Sequence, residues 1–182
     1  MGEPQLERDL GAVILAAGAA SRFGEPKQRL LLPNVLGRVL TTRASQIVVV
    51  AGAHPLDVPD DPRVHLVSAP DWHLGPGASL RAGLGALGGE IEAAINYLAD
   101  GPNVDPEAAA RVVAAWRSGD RPLVAPDYGR GRSHPMLIAR EHWGTIPDRG
   151  GRALSPFLVD CRDLSAPGDV NTQEDLDRLR NV

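Results

Sequence analysis

Gly11-Ala-Val-Ile-Leu-Ala-Ala-Gly18-Ala-Ala-Ser21-Arg22-Phe-Gly24-Glu-Pro-Lys27 is the stretch that decides the fold. Residues Ala12 to Ala17 are apolar without alternation, so they read as a strand buried on both faces, as in a parallel sheet covered by helices. The strand runs directly into a glycine-containing loop. Gly18 permits close approach of a ligand to the backbone, and Ala19, Ala20 and Ser21 leave main-chain N–H groups open to an anion. Arg22 contributes a planar fork and Lys27 a mobile point charge, so the loop suits phosphate.

Two familiar phosphate loops are excluded by the same residues. The dinucleotide fingerprint requires G-x-G-x-x-G, but the residue two after Gly18 is Ala20. The Walker A loop ends in Gly-Lys-Ser/Thr, and Gly24 is followed by Glu25.

Around this loop the chain has 182 residues, 43% hydrophobic, with 19 basic and 23 acidic side chains and a net charge of −4. That length predicts one domain over 1–182, with the phosphate loop in a first half at about 11–105 and a second half at about 106–182. The acidic balance without a basic run argues against a nucleic-acid or membrane partner. One cysteine, Cys161, leaves no intrachain disulfide and no cysteine-rich zinc site. With no apolar stretch of membrane-spanning length and a polar start, a cytoplasmic protein is expected.

Apolar runs at 12–17, 47–51, 64–67, 93–98, 123–125 and 136–139 alternate with helical patterns, which predicts an α/β fold: a Rossmann-like wound, mostly parallel sheet with helices on both faces. The clearest helix is Pro106–Ser118, with Ala109, Val112, Val113 and Trp116 on one face, Asp105 as its cap and Gly119 at its end. A crossover helix is expected around Val35–Thr42. Gly75 to Gly89 holds six glycines in fifteen positions, yet Leu80, Leu84 and Leu87 keep a helical stripe, implying close packing or close ligand approach. Thr172-Gln-Glu-Asp175 reads as the capped start of a last helix.

Tyr97-Leu98-Ala99-Asp100-Gly101-Pro102 places an aspartate at the carboxyl end of an apolar strand, the edge where ligands bind in open α/β sheets. Asp100 therefore faces the same crevice as the Gly18 loop, where it can hold Mg²⁺ or serve as a turn residue before Gly-Pro. In Asp169-Val-Asn171-Thr172, side chains two apart on extended backbone point the same way and can present oxygens to one site, or form the turn into the last helix. The histidines show no metal-ligand spacing, and no serine lies in a G-x-S-x-G elbow.

The first loop resembles the L-A-A-G-x-x-x-R-x-G-x-x-K element of nucleotidyltransferases, here Leu15-Ala16-Ala17-Gly18 through Arg22 and Gly24 to Lys27. Order and spacing of the later elements are similar to the molybdenum-cofactor (MobA/MocA-like) branch, closest to the CTP:molybdopterin cytidylyltransferases. That resemblance implies a nucleotide-diphospho-sugar transferase-like fold and Mg²⁺-dependent transfer of a nucleoside monophosphate, with release of pyrophosphate. It implies catalytic roles for Arg22, Lys27 and Asp100, and Mg²⁺ held by Asp100 and Asn171. It also implies nucleotide contacts from Leu15, Ala16, Ala17, Gly18, Ser21, Arg22, Lys27, Gly77, Ala78 and Ser79. Ser79 equally suits a helix cap.

The acceptor side would be formed by Arg130, Arg132, His134, Gly150 and Gly151, similar to the family's His-Pro and Gly-Gly elements. Leu-Ala-Ala-Gly favours CTP, whereas Asn171 is closer to guanylyl-transferring members, which keeps GTP as the alternative. The implied acceptor is the phosphate of molybdopterin cofactor, with an apo-molybdoenzyme as a further partner. Another phosphorylated metabolite, or a carrier module that passes on cofactor, are the competing readings. The stretch after Lys27 is shorter than in related enzymes, close to the minimum for a parallel crossover.

Overall fold

The computed structural model describes residues 5–19, 27–168, 170 and 174. Strand β1, Glu7–Ala16, lies at the centre of a seven-stranded sheet and pairs in parallel with β2, Ala44–Ala51, and β4, Ala93–Leu98. Its central side chains divide between the two faces: Ala12 and Ile14 enter one core, Val13 the other, and all are fully buried. Both faces exclude water, which is why this run lacks alternation.

Beyond β2 lies β3, Val64–Ser68, again parallel. On the other side of β4, β6 (Met136–Ala139) runs antiparallel between β4 and β5 (Leu123–Asp127), and β7 (Phe157–Asp160) pairs in parallel with β5. The order is β3-β2-β1-β4-β6-β5-β7. All six expected strands are present. The seventh, β7, escaped the sequence reading because it is four residues long with Phe157 and Leu158 exposed, so neither length nor burial pattern marks it.

Helices cover both faces, as expected. α1 (Lys27–Leu40) and α3 (Pro106–Arg117) lie on the Ile14 side, burying Leu32, Val35, Val39, Ala109 and Val112. α2 (Pro76–Gly85) lies on the Val13 side through Leu80 and Leu84. Gly83 explains the glycine richness of α2: a Cβ there would sit 2.5 Å from Val13 Cγ1 and 2.7 Å from Val50 Cγ2. The absent side chain lets the helix settle onto β1 and β2. α3 starts where its cap predicts, the Asp105 carboxylate accepting from the Glu107 N–H at 2.9 Å.

α1 corrects the sequence reading. It begins at Lys27 and not near Val35, and it carries Pro33 in its interior on an exposed face. From Lys27 to β2 the connection is thus almost wholly helix, and Lys27 itself is a helical residue. The proposed last helix lies outside the described residues apart from Glu174, which is helical.

Candidate active site

Lys27 is 7% exposed, a burial that an ammonium accepts only when it is paired. Its Nζ lies 3.2 Å from Asp100 Oδ2 and donates to the Val170 carbonyl at 2.5 Å. Val170 in turn donates its N–H to the Asp100 carbonyl at 3.0 Å. The start of α1, the end of β4 and the C-terminal segment therefore meet at one point. Gln28 ties the helix back to the first loop, its Nε2 donating to the Gly18 carbonyl at 2.9 Å.

Asp100 opens from this knot into a cleft of about 400 Å³ at the carboxyl ends of β1 and β4. One wall is Leu15 to Gly18 with Gln28, a second is Trp72, Gly75, Pro76 and Ser79, and the third is His134, Arg149, Gly151 and Arg152. Asn96 and Leu98 to Asp100 line it as well. Elements more than a hundred positions apart thus share one concavity, at the sheet edge where such folds bind ligands.

Leu15, Ala16, Ala17, Gly18, Ser79, Asp100, His134 and Gly151 all line this cleft. Ser21, Arg22, Asp169 and Asn171 lie outside the described residues. Gly77, Ala78, Gly150, Arg130 and Arg132 do not line it. The Gly77 N–H is taken by the Asp148 carbonyl at 2.9 Å, and a Cβ on Gly77 would fall 2.0 Å from the Pro147 carbonyl oxygen. Ala78 donates its N–H to the Gly75 carbonyl within the same bend. Gly77 is therefore small to let residues 147–148 press against α2. Gly150, at φ 62°, makes the turn that permits it.

Arg130 is exposed. Arg132 has a supporting position: its guanidinium donates to the carbonyl of Gly151 at 3.0 Å and to those of Leu154 and Arg152. It holds the turn that carries the cleft's third wall. The tip it springs from is ordered by the Asp127 carboxylate, which accepts from the N–H groups of Gly129 (2.7 Å) and Gly131 (2.9 Å).

His134 is held neutral at physiological pH. Burial, reinforced by the nearby Arg152 and Arg132 charges, pushes its pKa down to about 4. It therefore offers a neutral ring, while Arg149 and Arg152 supply the positive charge of this wall. Neither arginine is ion-paired among the described residues. Sequence reasoning placed the Pro147–Arg152 stretch on the acceptor side but singled out only its glycines, and it missed Asn96. The two arginines flank the glycine pair at 150–151, and Asn96 interrupts an otherwise apolar strand, signals that a single sequence carries faintly.

A family model, the MobA-like NTP transferase domain, matches residues 12–158. The chain belongs to that family. Nucleotidyl transfer from a nucleoside triphosphate is the enzyme class of a MobA-like NTP transferase, and the sheet is that of the nucleotide-diphospho-sugar transferase fold. The chain is 29% identical, over 208 aligned positions, to the nicotine blue oxidoreductase of Paenarthrobacter nicotinovorans, covering 98% of this chain and 100% of that protein. Among solved structures, the homologue of Mycobacterium tuberculosis rv0371c from Mycobacterium sp. strain JC1 matches with a TM-score of 0.75 and 25% identity over 96% of both chains. Rv0371C of M. tuberculosis H37Rv in complex with manganese matches with a TM-score of 0.72 and 22% identity over 98% of this chain and 100% of that one. The last likeness is one of fold. As a family member of 182 residues, the chain is shorter than its 208-position alignment with the curated relative.

No helix among the described residues is long and apolar enough to cross a membrane.

Proposed function

We propose that this MobA-like domain transfers CMP from CTP to the phosphate of molybdopterin cofactor and releases pyrophosphate. The observation that carries this reading is the Lys27–Asp100 pair at 3.2 Å, in which the buried lysine backs a carboxylate that lines the cleft.

The triphosphate would lie along the Gly18–Lys27 loop, with Ser21 and Arg22 as further contacts. The Lys27 ammonium balances charge that develops on the phosphoryl oxygens, and its burial keeps that charge from being screened by water. The acceptor phosphate would approach from the Arg149 and Arg152 wall, already ionised, so no general base is needed. Catalysis by these residues is positional and electrostatic. Leu15, Ala16 and Ala17 would pack beside the nucleotide, with Ser79 at its base or ribose. Arg130 and Gly150 would act from outside the cleft, as flanks of the acceptor wall.

The residues fit a divalent cation that takes most of its ligands from substrate. Asp100 offers one hard carboxylate that remains one-third exposed, which suits Mg²⁺ shared with phosphate oxygens. Asn171 would add an oxygen beside Val170, which is already bonded to Asp100. When bound, the cation would neutralise charge on the transferred phosphoryl group. The manganese complex of the M. tuberculosis fold relative supports a divalent ion in this fold.

CTP is favoured because Ala17 stands where guanylyl-transferring relatives have glycine. Ala17 lines the cleft and is itself backed closely by Gly52, where a Cβ would meet the Ala17 carbonyl oxygen at 2.5 Å. Pyrophosphate release, measured with each of the four nucleoside triphosphates, Mg²⁺ and molybdopterin cofactor, tests the reading. Release with CTP above the others is expected, and equal or absent release with CTP overturns it.

A second reading, reduction of a heterocyclic substrate, is favoured by the name of the curated relative. Against it stands the missing second glycine of the dinucleotide fingerprint at Ala20. Binding of reduced nicotinamide dinucleotide in place of CTP would select it.

A further inference from the structure

The carboxamide of Asn96 is 2% exposed and makes no hydrogen bond among the described residues, its Oδ1 being wholly enclosed without a partner. It is the one polar side chain of β4 between Ala93 and Leu98 on the α2 side of the sheet, flanked on that face by the apolar Ala94 and Leu98. Such a group costs folding free energy and is rarely left without partners in a core. Asn96 nonetheless lines the cleft, together with Ser79, His134 and Gly151. Gly151 keeps the opening clear: a Cβ there would stand 2.5 Å from Met136 Cε and 4.0 Å from Asn96 Nδ2.

Resting on the transferase reading above, we infer that Asn96 is a specificity-determining residue that reads the ring edge of a bound heterocycle. A carboxamide carries a donor and an acceptor side by side, the complement of a ring edge holding C=O beside N–H, or an amino group beside a ring nitrogen. It is uncharged, so it does not compete with Lys27 or Asp100 for phosphate or metal. Asp100 lies four positions on, past the end of β4 at Leu98 and in the turn that follows, so the carboxamide sits further back along the strand than the carboxylate. That places it at the ring end of a ligand whose phosphate lies at Asp100. A nucleobase and a pterin share this edge chemistry, and both enter the proposed reaction.

The test is calorimetric binding to the wild-type protein, N96L and N96S. The probes are cytidine, guanosine and neopterin, none carrying phosphate, and inorganic tripolyphosphate with Mn²⁺. Leucine keeps the branching of asparagine but is bulkier and serine is smaller, so one variant remains if the other does not fold. At least one ring ligand is expected to bind both folded variants about tenfold or more weakly than wild type, with tripolyphosphate unchanged within twofold. Loss confined to a nucleoside assigns the ring to the nucleotide, and loss confined to neopterin assigns it to the acceptor. Equal binding of every ring ligand by all three proteins, or none by wild type, overturns the inference. Failure of wild type to bind tripolyphosphate counts against the transferase reading and leaves the ring comparison standing.

Discussion

The Lys27 ammonium lies 3.2 Å from the Asp100 carboxylate across 73 positions of sequence. The lysine is buried and the carboxylate one-third exposed, so the pair presents its acidic side to the cleft and keeps its basic side braced by the Val170 carbonyl. Removing either partner has different consequences.

Lys27→Met leaves Asp100 without its cation at the mouth of the cleft. Turnover is expected to fall about 10²–10³-fold, the range for loss of one group that stabilises developing charge. Asp100→Asn should lower turnover similarly and raise the divalent-ion concentration needed for half-maximal rate. Steady-state pyrophosphate assays across a metal titration separate the two effects.

Arg132 braces three carbonyls of the turn at 151–154, and lysine lacks the planar fork to reproduce this. Both Arg132→Ala and Arg132→Lys should lose about 1–2 kcal/mol in urea denaturation, at the low end for charged donors because the side chain is exposed. KM for the acceptor should rise more than kcat falls, since Gly151 and Arg152 lose their placement while the Lys27–Asp100 pair is untouched.

His134 predicts an acid limb in stability. Its folded pKa, about 4, lies below the ordinary value of 6.5, so the unfolded chain takes up a proton over this interval that the folded chain refuses. The stabilisation is complete above about pH 6.5 and is lost as pH falls through 4. The slope is at most that of one proton, about 1.4 kcal/mol per pH unit. Urea midpoints between pH 7 and 4 should show a shallower fall for His134→Gln than for the wild-type protein.

Two glycines on helices should respond in opposite directions to alanine. Gly83→Ala forces a methyl onto Val13 and Val50 and should cost about 1–3 kcal/mol. Gly37, exposed in the interior of α1 with nothing near its Cβ position, should gain roughly 0.5–1 kcal/mol as alanine. Thermal denaturation of the two variants reads the contrast directly.

Most of the sheet was legible because its signal is local. Residues 12–17 and 47–51 are apolar at every position, and 93–98 is broken only by Asn96 and the Tyr97 hydroxyl, which is how strands buried on both faces read. α3 was equally plain, since Asp105, Pro106 and Gly119 mark its ends chemically. β7 was not legible, because an exposed four-residue edge strand is defined by its pairing with β5 and not by its own residues. The start of α1 was placed too late, because the burial of Leu31, Leu32, Val35 and Val39 that carries the helix through Pro33 is decided by packing on the sheet.

The sequence by itself determined the wound α/β architecture, the family-bearing pattern of the first loop and the place of Asp100 at a strand end, all consequences of residues close in the chain. Only the tertiary structure decided that Lys27 reaches Asp100, that Arg132 supports the turn bearing Arg152, and that Asn96 lines the cleft without a partner among the described residues. Those relationships join segments from 27 to 170, and contacts between distant segments depend on how the layers pack, which no local pattern of residues encodes.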